Sequence, residues 1–187
     1  MKVSELFVEF RYEINDQNKI RFSDYQLMNS LNSVLRLMNN ALNTLFSPII
    51  VTSATVALTN NSGALPADYQ SLVVITKTGD ASPLEPVTLQ TTPTNEQYKI
   101  MNTTLFSSNS SVDIIYRKTF SKIVAVTEDV PLPDYFVELI KKYMKASLVD
   151  GLSKTEQSFS QMLSQDIAAV VTGNEYTYLQ RELPFAF

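Results

Sequence analysis

Apolar residues recur at helical spacing near both ends of the chain and follow strand-like patterns between them. Residues 4–14 carry apolar positions at three- and four-residue steps, and a longer apolar stripe runs from Ser23 to about residue 46. Ser23 with Gln26 has the spacing of a capping box, and Pro48 ends the stripe. The pattern predicts two N-terminal helices, and the second has the following apolar face: Leu27, Leu31, Val34, Leu35, Met38, Leu42 and Leu45.

The middle of the chain, residues 50–127, is richer in Val, Ile, Thr and Tyr, with Pro, Asn, Ser and Gly between its apolar runs. Residues 112–117 are more continuously apolar than the other runs, which favours a central strand. The polar residues 107–111 lie between two strand-like runs, as in a hairpin. The pattern predicts these strands: 54–59, 71–77, 86–90, 97–105 and 112–118.

Helical spacing returns at Pro133, and Gly151 is a stop signal for that helix. Ser153 with Glu156 predicts the capped start of a last helix, which Gly173 should end. The lysines at 141, 142 and 145 lie away from the apolar stripe and predict a solvated face. The two apolar stripes consist of Phe136, Leu139, Ile140, Tyr143, Met144 and Leu148, then Phe159, Met162, Leu163, Ile167 and Val170.

The helix–sheet–helix order predicts an α+β fold, in which a bundle of N- and C-terminal helices carries an inserted antiparallel β sub-domain. Residues 1–49 and 131–173 should form the bundle, residues 50–130 the insert, and residues 174–187 an extended aromatic tail. We expect one core in the bundle, built from Leu31, Leu35, Met38, Phe136, Leu139, Ile140 and Phe159.

Composition narrows the range of functions. The chain has 187 residues, a formal net charge of −4, 4 Gly residues, no His and no Cys. The chain therefore cannot form disulfides or thiolate sites, and it cannot use histidine in catalysis or metal binding. We expect no cofactor, no metal and no enzymatic activity. No segment reaches the roughly 20 apolar residues that span a bilayer, and the N-terminus lacks a signal-peptide pattern, so we expect cytosolic synthesis and no membrane contact.

Acidic pairs do not predict a catalytic centre. Glu128 and Asp129 are neighbours on an expected loop, and such neighbours do not converge on a substrate. Asp134 and Glu138 could share a helix face, but carboxylates in a first helical turn ordinarily complement the helix dipole.

Other candidate chemistries are equally weak. Ser153-Lys154 is better explained by a helix cap than by a Ser–Lys pair, and residues 15–18 lack the glycine and glutamate of a calcium loop, which favours a solvated turn. Arg117-Lys118 with Lys122, and the lysines of 141–145, are the basic clusters. An acidic chain with so few clustered cations should not bind duplex DNA tightly.

The last segment, residues 174–187, is dense in large apolar side chains. It either folds back over its own core or docks on another chain, and exposed aromatics at this density favour a partner surface. We predict a partner-binding role, toward another chain, for Tyr176, Tyr178, Leu179, Leu183, Phe185 and Phe187.

The order and spacing of several runs resemble the head-to-tail adaptors of tailed bacteriophages, also known as connector or tail tubular protein A-like proteins. The Leu-rich helix from Ser23 comes first. The runs that follow are Thr55-Val56-Ala57-Leu58-Thr59, Leu65-Pro66-Ala67-Asp68-Tyr69, Tyr98-Lys99-Ile100, Val112-Asp113-Ile114-Ile115-Tyr116, Val130-Pro131-Leu132-Pro133-Asp134-Tyr135-Phe136 and Met144-Lys145-Ala146-Ser147-Leu148-Val149.

The resemblance implies a structural virion protein at the head–tail junction, made in the host cytoplasm. It implies a homo-oligomeric ring, commonly dodecameric, between the portal protein and a tail or nozzle protein. The partner of the aromatic tail would then be the portal or a neighbouring subunit. DNA would pass through the ring without specific binding, and the protein would have no catalytic activity. The alternative is a non-catalytic binding module of a phage tail or baseplate.

Overall fold

The computed structural model describes residues 1–80, 82–149 and 156–182, and in the last range it describes side chains from 159 to 173. The chain divides into a helical unit, Met1–Ile49 with Phe120–Phe187, and a β unit, Ile50–Thr119. The predicted α+β class is confirmed. Residues 120–130, which we expected in the insert, belong to the helical unit instead.

The helical unit contains four α-helices, counted over the described residues. Ser23 caps the second helix as predicted, because its hydroxyl accepts from the Gln26 backbone N–H and the Gln26 side chain accepts from the Ser23 N–H. A short 3₁₀ turn, Asp134–Phe136, leads into the third helix after Pro133. The helices are α1 (Val3–Glu13), α2 (Asp24–Thr44), α3 (Val137–Leu148) and α4 (Glu156–Glu182).

The core of the helical unit lies where α2 packs on α3 and α4. All seven residues that we expected in this core are buried, and Leu31, Met38 and Ile140 are fully so. Each such aliphatic side chain contributes roughly 1.5–3 kcal/mol when it leaves water. This burial explains why α2 is helical despite several Asn residues, since tertiary packing outweighs their poor propensity.

Helix α4 is longer than the sequence indicated. The helix end predicted at Gly173 is wrong, because α4 continues through it to Glu182. A glycine stop requires a left-handed backbone, and Gly173 does not have a positive φ. The backbone of 174–182 is therefore helical rather than extended. The predicted stop at Gly151 and cap at Ser153, like residues 183–187, lie outside the described residues.

The β unit contains two sheets in the described part of the chain. A three-stranded antiparallel sheet has the order β1-β7-β3, so the run around residues 112–117 is central, as predicted. The second sheet has the order β2-β6-β5-β4. The strands are β1 (Val51–Ala57), β2 (Ser62–Ala64), β3 (Tyr69–Lys77), β4 (Glu85–Pro86), β5 (Gln97–Met101), β6 (Thr104–Phe106) and β7 (Ser111–Lys118).

Three expectations for the insert are corrected. Residues 97–105 form two strands rather than one, because the chain reverses at Asn102, whose φ is 53°. Residues 107–110 connect the two sheets and do not close a hairpin, since β6 and β7 belong to different sheets. The insert is not wholly antiparallel either, because β4 pairs with β5 in parallel.

An apolar cluster forms the core of the β unit. It includes residues from both sheets, and Leu105, Val112 and Ile114 in it are fully buried. Gly63 on β2 allows a close approach to β1, because an added Cβ would lie 2.5 Å from the Ala57 carbonyl oxygen. The buried members are Val56, Leu65, Ile75, Leu84, Leu105, Val112, Ile114 and Tyr116.

Candidate interaction surfaces

The C-terminal end of α2 has an unusual residue at its stop position. The Phe46 N–H donates to the Asn43 carbonyl at 3.2 Å, and the Ser47 N–H donates to the Leu42 carbonyl at 3.0 Å. This pair of hydrogen bonds is a Schellman motif, whose left-handed position usually holds Gly. Here Phe46 occupies it with φ 54°, and its side chain is 71% exposed.

A groove of about 270 Å³ lies beside this helix end. It is formed by the segment that directly follows α2 and by the middle of α4. Leu45 is partly exposed at its edge, as is Phe46. We call it the α2–α4 groove, and its lining residues are Leu45, Phe46, Ser47, Pro48, Ala168, Val171 and Thr172.

A second, more apolar groove of about 170 Å³ follows α1. The Ser4 N–H donates to the Val126 carbonyl at 2.9 Å and holds the 120–130 segment against this helix. Val8 and Val126 remain exposed along the groove. The lining residues are Ser4, Phe7, Val8, Arg11, Lys19, Asp24 and Val126.

The turn between α1 and α2 is built around Asp16. Its carboxylate accepts the backbone N–H groups of Ile20, Arg21 and Phe22 at 2.9, 2.8 and 3.2 Å, and the Arg11 guanidinium at 2.7 Å. The pKa of Asp16 lies below its ordinary value, and the hydrogen bond from the Arg21 N–H is the largest cause. Burial acts in the opposite direction but is outweighed. The solvated turn expected here is wrong, because Asp16 is buried and organises the turn.

Arg11 extends this network to the start of α2. Its second guanidinium nitrogen donates to Asp24 at 2.7 Å, and Lys19 donates to the other oxygen of the same carboxylate at 2.9 Å. These hydrogen bonds, from Lys19 first and then Arg11, lower the pKa of Asp24. The arrangement is a structural clamp between two helices, and the cations and anions in it neutralise one another.

Lys141 on α3 is buried and surrounded by three carboxylates. Its ammonium lies 2.6 Å from Glu13, 2.6 Å from Glu138 and 3.3 Å from Glu9. Burial alone would lower the pKa of Lys141, but the hydrogen bonds to Glu13, Glu138 and Glu9 outweigh it, and the pKa is raised. The solvated lysine face predicted on α3 is therefore wrong at Lys141, which ties α1 to α3.

Two other side chains of α3 meet α4. The Tyr143 hydroxyl donates to Asp166 at 2.8 Å, and Lys142 donates to the same oxygen at 2.5 Å. Burial, followed by the Asp166 hydrogen bond, raises the pKa of Tyr143. The Tyr143 ring also contacts Phe159 edge to face, with centroids 4.9 Å apart. Two of the three clustered lysines are thus held by carboxylates of their own unit.

The acidic pairs considered for catalysis have separate partners. Asp134 accepts from the Met1 ammonium at 3.2 Å, whereas Glu138 faces Lys141. Glu128 accepts the N–H groups of two loop residues, and Asp129 pairs with Lys2 at 3.0 Å. In neither pair do the two carboxylates face a common space. The Ser153-Lys154 pair lies outside the described residues.

The Leu65-to-Tyr69 run has a structural role in the β unit. The Tyr116 hydroxyl donates to the Asp68 carboxylate at 2.8 Å, and the Thr119 N–H donates to the Asp68 carbonyl at 2.7 Å. Burial and this hydrogen bond raise the pKa of Tyr116 to about 12. The Tyr69 and Tyr116 rings pack with centroids 5.8 Å apart. Asp68 therefore fixes the end of the central strand, a role that sequence reasoning missed.

Three of the six predicted partner-binding residues are placed, and by their backbone alone. Tyr176, Tyr178 and Leu179 belong to the last part of α4, and Leu183, Phe185 and Phe187 lie outside the described residues. Within the described ranges, no cluster of acidic side chains is arranged to hold a metal ion. In the same ranges, none of the helices combines the length and the hydrophobicity that crossing a bilayer requires.

A family model described as SU10 adaptor protein matches residues 1–182, nearly the whole chain. No curated protein sequence matches. The match spans both units, so it covers the helical bundle together with its β insert.

Proposed function

Because the chain belongs to the SU10 adaptor protein family, a family of phage head-to-tail adaptors, we propose that it forms a ring that continues the DNA channel from portal to tail. Family membership makes it a structural virion protein of the head–tail junction, in contact with portal and tail proteins. The proposal adds that the ring contains twelve copies and that the protein is made in the host cytoplasm. The family match over residues 1–182 is the observation that carries it.

The charge distribution supports a channel through which DNA slides. The net charge of −4 repels a phosphate backbone, and binding without sequence preference needs several free cations together. Lys141 and Lys142, which the sequence groups as a basic cluster, are both held by carboxylates of the helical unit. DNA therefore passes without specific contacts.

The side-chain chemistry supports a role without catalysis. A nucleophile or general base needs a partner within hydrogen-bond reach and a common space for substrate. Among the described residues, the strongest polar clusters, around Asp16 and around Lys141, use their groups to join helices. We propose that the protein has neither enzymatic activity nor a cofactor.

We propose that Tyr176, Tyr178, Leu179, Leu183, Phe185 and Phe187 form a partner-binding surface. The support is their density in the last twelve residues of the chain. Large apolar side chains in such a segment are stabilised when a partner covers them.

The test is co-sedimentation with the portal protein of the same phage. The wild-type chain should sediment with the portal in a fixed ratio, and a variant that lacks residues 176–187 should not. An unchanged melting temperature of the shortened chain would show that it is folded. A wild-type chain that never sediments with the portal would contradict the adaptor role. A shortened chain that binds equally well would contradict the role of the tail alone.

A further inference from the structure

The exposed face of helix α2 has an unusual composition. Residues 25–44 contain one charged side chain, Arg36, although 18% of the whole chain is charged. Exposed helix positions that serve only stability ordinarily carry Ala, Glu or Lys, whereas Asn is a poor helix former. The composition therefore points to a surface with a role of its own. We call it the α2 outer face, and its exposed residues, three or four positions apart, are Tyr25, Asn29, Ser33, Arg36 and Asn40.

A second cation lies beside this face. The Asn32 side chain donates to the Ile123 carbonyl and accepts the Ile123 N–H, both at 2.9 Å. These hydrogen bonds hold Lys122, the preceding residue, beside the turn of α2 that leads to Arg36. Both cations are exposed, and within the described part of the chain no hydrogen bond or ion pair engages either charge. Glu128, in the same segment as Lys122, accepts the N–H groups of two loop residues instead.

This surface matches the phosphate backbone of nucleic acid. Phosphate oxygens accept hydrogen bonds from Arg and Lys and from the hydroxyl and amide side chains of Ser, Tyr and Asn, which are the residue types present here. Residues 25–44 include no carboxylate that would repel a phosphate. The face extends about 23 Å along the helix, a length that several phosphates of a duplex occupy. An interface between protein chains ordinarily has an apolar centre, whereas the middle of this face consists of Ser33 and Arg36.

We propose that the α2 outer face, together with Lys122, contacts the phosphate backbone of the DNA that passes through the ring. The inference rests on the proposed ring and identifies the surface of each copy that meets the DNA. Two cations per copy give a weak contact that is independent of base sequence, and the net charge of −4 limits the total attraction. Repetition of the contact in every copy centres the duplex, while each single contact breaks easily enough for the DNA to slide.

Arg36→Gln tests the electrostatic part of the contact. Fluorescence anisotropy of a short duplex with the purified chain, at about 20 mM salt, detects contacts that physiological salt suppresses. Arg36→Gln should raise the Kd at least about threefold and lower the slope of log K against log salt by about one for each bound copy. Lys145→Gln on α3 is the matched control, because it also removes an exposed cation that no described residue pairs with. Its Kd should change less than about twofold, with an unchanged slope. Equal effects of the two substitutions, or a wild type without measurable binding at this salt, would overturn the proposal.

Crosslinking gives a second readout, of proximity alone. The sequence contains no Cys, so Asn40→Cys carries a unique thiol, and a benzophenone attached to it reports what lies against the α2 outer face. Irradiation in the presence of the duplex should crosslink DNA at Asn40→Cys but not at Lys145→Cys. Crosslinks from Asn40→Cys to a second copy of the chain, without DNA, would instead assign this face to an interface between copies and overturn the DNA contact.

Mass photometry of the same samples separates this inference from the ring itself. Rings that form normally, while Arg36→Gln and the wild type bind DNA equally, would overturn the contact and leave the ring standing. Chains that stay monomeric, yet bind DNA in a manner that depends on Arg36, would contradict the ring and support the contact.

Discussion

Single residues join the elements of this protein through partners that are distant in sequence. Ser23 and Gln26 were predictable because a capping box is a local pattern. The roles of Asp16 and Lys141 were not predictable, because charged residues in a sequence ordinarily indicate exposure to solvent. Lys141 is buried where Glu9 and Glu13, on another helix, can pair with its ammonium. The spacing of residues in the sequence does not reveal such a contact between distant segments.

Gly63 should be intolerant of a side chain. Gly63→Ala should destabilise the β unit by about 1–3 kcal/mol, because a rigid carbonyl cannot yield to the new methyl group. The Cβ would lie 2.5 Å from the Ala57 oxygen and 2.8 Å from Val56 Cγ1. Urea denaturation followed by circular dichroism measures the change, with Ser62→Ala on the same strand as the control. Equal stability of Gly63→Ala and the wild type would mean that the two strands do not approach closely.

Tyr116 should make stability sensitive to alkaline pH. The pKa of Tyr116 rises from 10.0 to about 12 on folding, so its contribution is complete below pH 10 and is lost as the pH rises toward 12. At pH 7, Tyr116→Phe should lose about 1 kcal/mol, since the Asp68 hydrogen bond disappears. The gap between wild type and variant should shrink above pH 10. Denaturation at pH 7 and at pH 11.5 checks this, and a gap that widens at high pH would contradict it.

Among the secondary-structure elements, the positions of helices could be predicted from the sequence more reliably than the pairing of strands. Apolar stripes and caps lie within one segment, so the positions of α1 and α2 were predictable to within about two residues. Strand partners are set by contacts between distant segments. Residues 107–110 have the polarity of a hairpin turn, yet they connect two sheets. The α2–α4 groove was also unpredictable, because the segment after α2 and the middle of α4 are far apart in the sequence.

Helix α4 should tolerate alanine at Gly173. An added Cβ there meets nothing within 4 Å, and Gly in a helix interior costs about 1 kcal/mol relative to Ala. Gly173→Ala should therefore keep or raise the stability, whereas Gly173→Pro should lower the helical signal in circular dichroism. Destabilisation by alanine would indicate a left-handed backbone and a helix end at this residue.

The helical unit should depend on the contact of α2 with α3 and α4. Leu35→Ala should destabilise it by about 2–5 kcal/mol, because the side chain is buried and its removal leaves a cavity. Thermal unfolding measures the effect, and Leu45→Ala at the exposed end of the same stripe should cost less. Equal costs at both positions would contradict a core centred on Leu35.

At the scale of the whole molecule, an acidic chain should not retain DNA. The net charge is −4, and two clustered lysines are already paired with carboxylates. Fluorescence anisotropy at physiological salt should show no binding to duplex DNA tighter than about 10 µM. Nanomolar affinity with a steep salt dependence would contradict a channel through which DNA slides.

Electron microscopy of the purified chain, with mass photometry of the same sample, shows whether the protein assembles into a closed ring. We expect closed rings with an open centre wide enough for duplex DNA. Twelve copies of the 21.0 kDa chain give about 250 kDa. Particles of 21.0 kDa at every concentration, or open filaments that never close, would contradict this expectation.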